Sequence, residues 1–135
     1  MLLDDFFWVD SLDLEGDSAT AVLGLNTRHI IYDGHFPGRP VVPGTCLLQM
    51  VQEMTTMITC REWQLMKADQ LKFIVMIDPA GAGNLRMRIT CKEEGEGEGG
   101  GRGGEAEGAR KLRVTADLSK EGVACFKFKG VFRPV

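Results

Sequence analysis

Apolar residues recur at every second position in several stretches of this chain and at helical spacing in one. Ala19, Ala21, Leu23 and Leu25 alternate after the turn-like Glu15-Gly16-Asp17, which predicts a half-buried strand following a hairpin-like turn. The stretch TRHIIYDGHFPGRPVVPG then carries three prolines and three glycines, too many for a long regular element, and reads as a structured loop. From Thr45, a candidate cap, Leu47, Met50, Val51, Met54, Met57 and Ile58 fall on one face of a helix running to about Arg61. Gln49, Gln52, Glu53 and Thr56 share the same spacing and form a polar stripe on another side, which solvent would also explain.

Period two returns in DQLKFIVMID, in Leu85 to Cys91, in Leu112 to Leu118, and in Ala124, Phe126, Phe128 and Phe132. Short links between them favour antiparallel pairing. One long helix beside about five or six strands, most of them after the helix, gives an α+β fold in which the helix lies against one sheet face. The 135 residues suit a single domain, 1–135, with a sizeable core.

The segment at about 93–109, rich in Gly and Glu, interrupts the strand series as a flexible hairpin loop. It has no G-x-x-x-x-G-K-[ST], and its six glutamates would repel a phosphate. A net charge of -3 and scattered basic residues argue against nucleic acid as a partner. Asp4 and Asp5 stand where a secretory signal needs positive charge, and no apolar run approaches the roughly 20 residues of a membrane span, so the expected compartment is cytoplasmic. Cys46, Cys60, Cys91 and Cys125 are widely spaced without C-x-x-C, which predicts buried apolar thiols and no metal site.

Acid-base chemistry has two histidines to draw on. His29, in TRHI, reads as structural. His35 is bracketed by Gly34 and Gly38 and stiffened by Pro37, a setting that would hold an imidazole in one direction.

The run HFPGRPVVPG followed by an apolar helix resembles the β-hydroxyacyl-(acyl carrier protein) dehydratases, with His35-Phe36-Pro37-Gly38 and Pro43-Gly44 at matching spacing. The aromatic FFWVDSL, the strand before the loop, and the closing FKFKGVF occur in the family's order, so the likeness covers nearly the whole chain. It implies the hotdog fold, a long central helix wrapped by a curved antiparallel sheet, with two chains joined edge to edge. It also implies loss of water from a 3-hydroxyacyl thioester carried on the phosphopantetheine of acyl carrier protein, giving a trans-2-enoyl thioester, with no cofactor of the protein's own. His35 then matches the catalytic base, while Gly44 offers the helix's first N–H groups to the thioester carbonyl. Gly34, Phe36, Pro37, Gly38 and Pro43 shape the loop.

The chain departs from that family at the acid. Fourteen residues after the histidine the family has Glu or Asp, contributed across the dimer, and here stands Gln49, an amide that cannot donate a proton at neutral pH. Four residues on, where many members have Gln, stands Glu53, about 6 Å away along the helix. Three readings follow: Glu53, alone or through Gln49, is the acid; the chain is an impaired subunit that binds acyl thioesters; or a partner in a heterodimer supplies the acid. A homodimer is the default assembly and a thioesterase the weaker alternative activity. Arg39, Arg61, Lys67, Arg86 and Arg88 are available to a carrier protein or are ordinary surface charges.

Overall fold

The computed structural model describes residues 2–32, 41–79, 85–94 and 110–135. Strands β1 (Phe7–Glu15) and β2 (Ser18–Leu25) form a hairpin, and a short 3₁₀ turn (Ile30–Tyr32) leads toward helix α1 (Gly44–Thr59). Then come β3 (Trp63–Phe73), β4 (Leu85–Glu94), β5 (Lys111–Lys120) and β6 (Val123–Pro134). All pair antiparallel in one six-stranded sheet of order β1-β2-β4-β5-β6-β3. The expected α+β arrangement is therefore present, with β4 and β5 as neighbours; the Gly- and Glu-rich loop expected at about 93–109 lies, from residue 95 on, outside the described residues. Among the described residues no helix is long and apolar enough to cross a membrane.

Alternation decides which face is covered. In β4, Leu85, Met87, Ile89 and Cys91 are buried while the residues between them are not, and β5 does the same with Leu112, Val114, Ala116 and Leu118. Register sets these side chains opposite one another, Met87 to Leu118 and Ile89 to Ala116, then Ala116 to Phe128 and Leu118 to Phe126 on β6. Directly opposed residues share a sheet face, so the apolar positions merge into one surface. Helix α1 closes it with Leu47, Met50, Val51 and Met54.

Two boundaries differ from the sequence reading. Thr45 does not cap α1: the N-cap is Pro43, with no side-chain cap, and its carbonyl accepts from Cys46 and Leu47 N–H at 3.0 and 3.2 Å. The strand expected in DQLKFIVMID begins earlier and ends at Phe73. Register shifts between Leu65 and Lys67 and between Ala68 and Gln70 break the period of two, which hides the first half of β3 from pattern reading. Beyond Phe73 the chain leaves the sheet: Ile74 and Val75 N–H donate to the Cys125 carbonyl at 2.8 and 3.3 Å, and the Ile77 carbonyl accepts from Val42 N–H at 2.9 Å. These bonds carry the apolar 74–77 run to the start of α1.

Among the described residues strand β3 is an edge strand, paired to β6 alone. Leu71 and Phe73 oppose Phe128 and Phe126, so they share the helix-covered face, yet both are exposed, Phe73 by 54%. With Met66, Ile74, Val75 and Met76 they make an uncovered apolar strip along and beyond the edge.

Candidate active site

The helix start and the end of β3 meet around Gly44. A Cβ on Gly44 would lie 2.9 Å from the Phe73 ring, so glycine is what lets that ring approach the backbone. The first N–H groups of any helix lack intrahelical acceptors and carry its positive end. Beside them opens a cavity of about 480 Å³ with apolar walls from Val42, Pro43, Leu47, Phe73 and Met76. Gly34, His35, Phe36, Pro37 and Gly38 lie outside the described residues, as does Arg39.

One turn along α1, Gln49 and Glu53 are on one stripe, as their spacing predicts. Gln49 Nε2 donates to Glu53 Oε2 at 2.8 Å. Glu53 is only 8% exposed. Its Oε2 also accepts from Leu2 N–H at 2.7 Å, and Oε1 accepts from Leu3 N–H at 2.8 Å. Both carboxylate oxygens thus face N–H donors, arranging the group as an acceptor. A cleft of about 450 Å³ runs past this pair, bounded also by Leu3, Gln52, Trp63 and Val135. The leading segment could not have been assigned to this site from sequence, since it contributes backbone amides, which every residue has. Phe73 was visible only as one member of an apolar run.

His29 Nδ1 accepts from Ile31 N–H at 3.1 Å, which places the proton on Nε2 for donation to Asp5 at 2.9 Å. The ring stands edge-on to Phe6, with centroids 5.3 Å apart, so the structural reading of His29 holds. Tyr32 is buried and its hydroxyl has no partner among the described residues; burial first, then the nearby Cys46, pushes its pKa up. Desolvation also raises the Cys46, Cys91 and Cys125 thiols, Cys91 to about 11. Cys60 differs from the sequence expectation: it is exposed, because it ends α1 in a left-handed conformation at φ 60°. No group of three or more His, Cys, Asp or Glu that could hold a metal occurs among the described residues. Arg61 stacks over Trp63 at 5.2 Å, Lys67 pairs with Asp69 at 3.4 Å, and Arg86 and Arg88 sit on β4, so these cations are spread over separate elements.

Comparison with known proteins fits this geometry. Solved structures with the same architecture include the dehydratase heterocomplex ApeI:P from Xenorhabdus doucetiae, with a TM-score of 0.68 at 15% identity over 93% of this chain and 96% of that one. A hypothetical thioesterase with coenzyme A from Streptococcus pneumoniae matches at a TM-score of 0.63 and 6% identity, over 98% and 91% of the two chains. These likenesses establish the hotdog fold. Among curated sequences, the 3-hydroxyacyl-[acyl-carrier-protein] dehydratases FabZ of Photorhabdus laumondii and Myxococcus xanthus are 29% and 25% identical over 66 and 67 residues. Those segments are 49% and 50% of this chain, and in both cases 44% of the relative, so the match spans less than half of each curated protein. Residues 11–97 match the ApeI-like family, described as ApeI dehydratase, and the chain belongs to that family of hotdog-fold dehydratases.

Proposed function

We propose that the chain is one subunit of a 3-hydroxyacyl-(acyl carrier protein) dehydratase whose acid comes from a partner hotdog chain. The observation that carries this reading is the Glu53 carboxylate, which accepts three N–H bonds; in the family likeness the acid's position falls on Gln49, an amide. His35 takes the C2 proton of the thioester, and the Gly44 N–H meets the enolate charge that develops on the thioester oxygen. The C2 electron pair forms the C2–C3 double bond as the C3–O bond breaks. The departing hydroxyl leaves as water with a proton from the partner's carboxyl. The substrate's phosphopantetheine arm comes with the carrier protein, and both steps are proton transfers that draw on no redox carrier.

The partner's docking surface in this reading is the β3 edge, with its unpaired backbone and the strip Met66, Leu71, Phe73 and Met76. A second strand there would satisfy the edge and cover apolar surface together. The heterocomplex formed by the Xenorhabdus doucetiae relative supports a hetero-partner.

The test is hydration of an enoyl thioester on acyl carrier protein, the reverse reaction. The chain alone should be inactive, and Gln49→Glu should create activity at least about 10² above its background. His35→Ala in the Gln49→Glu chain should abolish it. Full turnover by the unaltered chain, dependent on Glu53, would overturn the partner-acid reading.

A further inference from the structure

Glu53 is a buried carboxylate that the proposed reaction does not use, and its contacts define another role. A carboxylate oxygen can only accept, so Gln49 must turn Nε2 toward Glu53; the flipped amide would set two acceptors face to face. The amide atom left for a ligand is therefore Oε1, an acceptor. Glu53 is itself fixed, because Leu2 and Leu3 N–H donate to different oxygens at 2.7 and 2.8 Å. The orientation runs in one direction: two backbone amides set the carboxylate, the carboxylate sets the Gln49 amide, and the amide presents oxygen. Leu3, Gln49 and Glu53 all border the same 450 Å³ cleft, so the staple and its acceptor belong to one wall.

We propose that Glu53 is a positioning residue that staples the Leu2–Leu3 segment to α1 and holds Gln49 Oε1 as an acceptor, so that this cleft selects the hydroxyl-bearing acyl chain over the enoyl chain. A C3 hydroxyl has a hydrogen to donate; the trans-2-enoyl product has none at that carbon. The half-site that holds Gln49, distinct from the His35 half that meets the partner's acid, then binds 3-hydroxyacyl thioester without removing its water. This ligand preference rests on the acyl-thioester reading above, while the staple does not.

The experiment measures equilibrium binding of two pantetheine amides of equal acyl length, one 3-hydroxyacyl and one trans-2-enoyl, to the unaltered full chain, Gln49→Met and Glu53→Gln. Amide exchange of Leu2 and Leu3 is followed in parallel by NMR. The unaltered chain should prefer the hydroxy compound by about five-fold, the scale of one neutral hydrogen bond. Gln49→Met should bind both compounds equally, with enoyl affinity within about two-fold of the unaltered chain, a readout that a merely structural role would not give. Glu53→Gln should lose the preference and speed Leu2 and Leu3 exchange by about ten-fold or more, as one staple bond is lost. Equal affinities in the unaltered chain, or a preference that survives Gln49→Met, would overturn the selection. Unchanged Leu2 and Leu3 exchange in Glu53→Gln would overturn the staple. Failure of both compounds to bind would sink the acyl-thioester reading and the selection with it, leaving the exchange result to decide the staple alone.

Discussion

The Phe73 ring packs against the backbone of Gly44 so closely that a Cβ there would come within 2.9 Å of it. The same ring lies 5.1 Å from Phe126, centroid to centroid, tilted by 30°. Gly44→Ala should therefore act through Phe73. The ring is half exposed and can swing away, so the expected cost is about 1 kcal/mol, mostly the aromatic contact with Phe126. Urea unfolding of Gly44→Ala, Phe73→Ala and the double variant checks this: the double variant should be no less stable than Phe73→Ala alone. An additive loss would mean that the methyl clashes with something other than the ring.

The uncovered strip on β3 makes a second prediction. Leu71 and Phe73 face the side of the sheet that α1 covers elsewhere, so their exposure marks surface that lacks a cover. Leu71→Lys and Phe73→Lys should place charge on a docking edge with little loss of stability, within about 1 kcal/mol, because both side chains are already half in water. Sedimentation of the unaltered chain with a partner hotdog chain should show a complex, and either lysine variant should weaken it by ten-fold or more, for a lost hot-spot side chain of about 1.4 kcal/mol or more. Association indifferent to both substitutions would move the interface off β3.

Legibility in the sequence followed the regularity of the elements. Helix α1 and strands β2, β4 and β5 were readable because the apolar period follows the buried face along each; β6 was readable from Phe126, Phe128 and Phe132, but a register shift leaves Ala124, expected on the same face, exposed and buries Cys125 in its place. Strand β3 was misplaced since its two register shifts spoil that record. At the candidate site, the spacing of Gln49 and Glu53 was readable because both sit on one helix. What Glu53 binds was not, because its partners are main-chain N–H groups fifty or more positions away in the chain. The close fit of Phe73 on Gly44 was hidden likewise, as it depends on how the chain leaves the sheet after β3.

Removing the Glu53 carboxylate altogether should be costly. Glu53→Ala deletes the acceptor for Leu2, Leu3 and Gln49 in a place that is 8% exposed. Hydrogen bonds to charged groups are each worth about 1.5–3 kcal/mol, but water can reach the freed main-chain groups of the partly exposed Leu2–Leu3 segment, so the net loss should be about 2–3 kcal/mol. Denaturant midpoints should fall accordingly, with an unchanged m-value if the core remains intact. A loss below about 0.5 kcal/mol would show that the segment is not bound to the helix in solution.

The cysteines give the pH prediction. Cys91 is held neutral chiefly by burial, with its pKa up from 9.0 to about 11; its Thr55 hydrogen bond works in the opposite direction. A folded-state pKa above the unfolded one means that the folded chain keeps a proton the unfolded chain has lost. The stabilisation is thus fully present below pH 9.0 and is lost as pH rises toward about 11. Cys46 and Cys125 shift in the same direction and should deepen the fall. Stability measured from pH 8 upward should decline across that interval, and Cys91→Ala should flatten the decline while lowering stability at pH 8 by about 1 kcal/mol through lost packing. Iodoacetamide at pH 8 should meanwhile modify exposed Cys60 first, well ahead of the three buried thiols. Rapid labelling of Cys91 in the folded chain would contradict its burial between β4 and α1, and with it the assignment of the pH dependence.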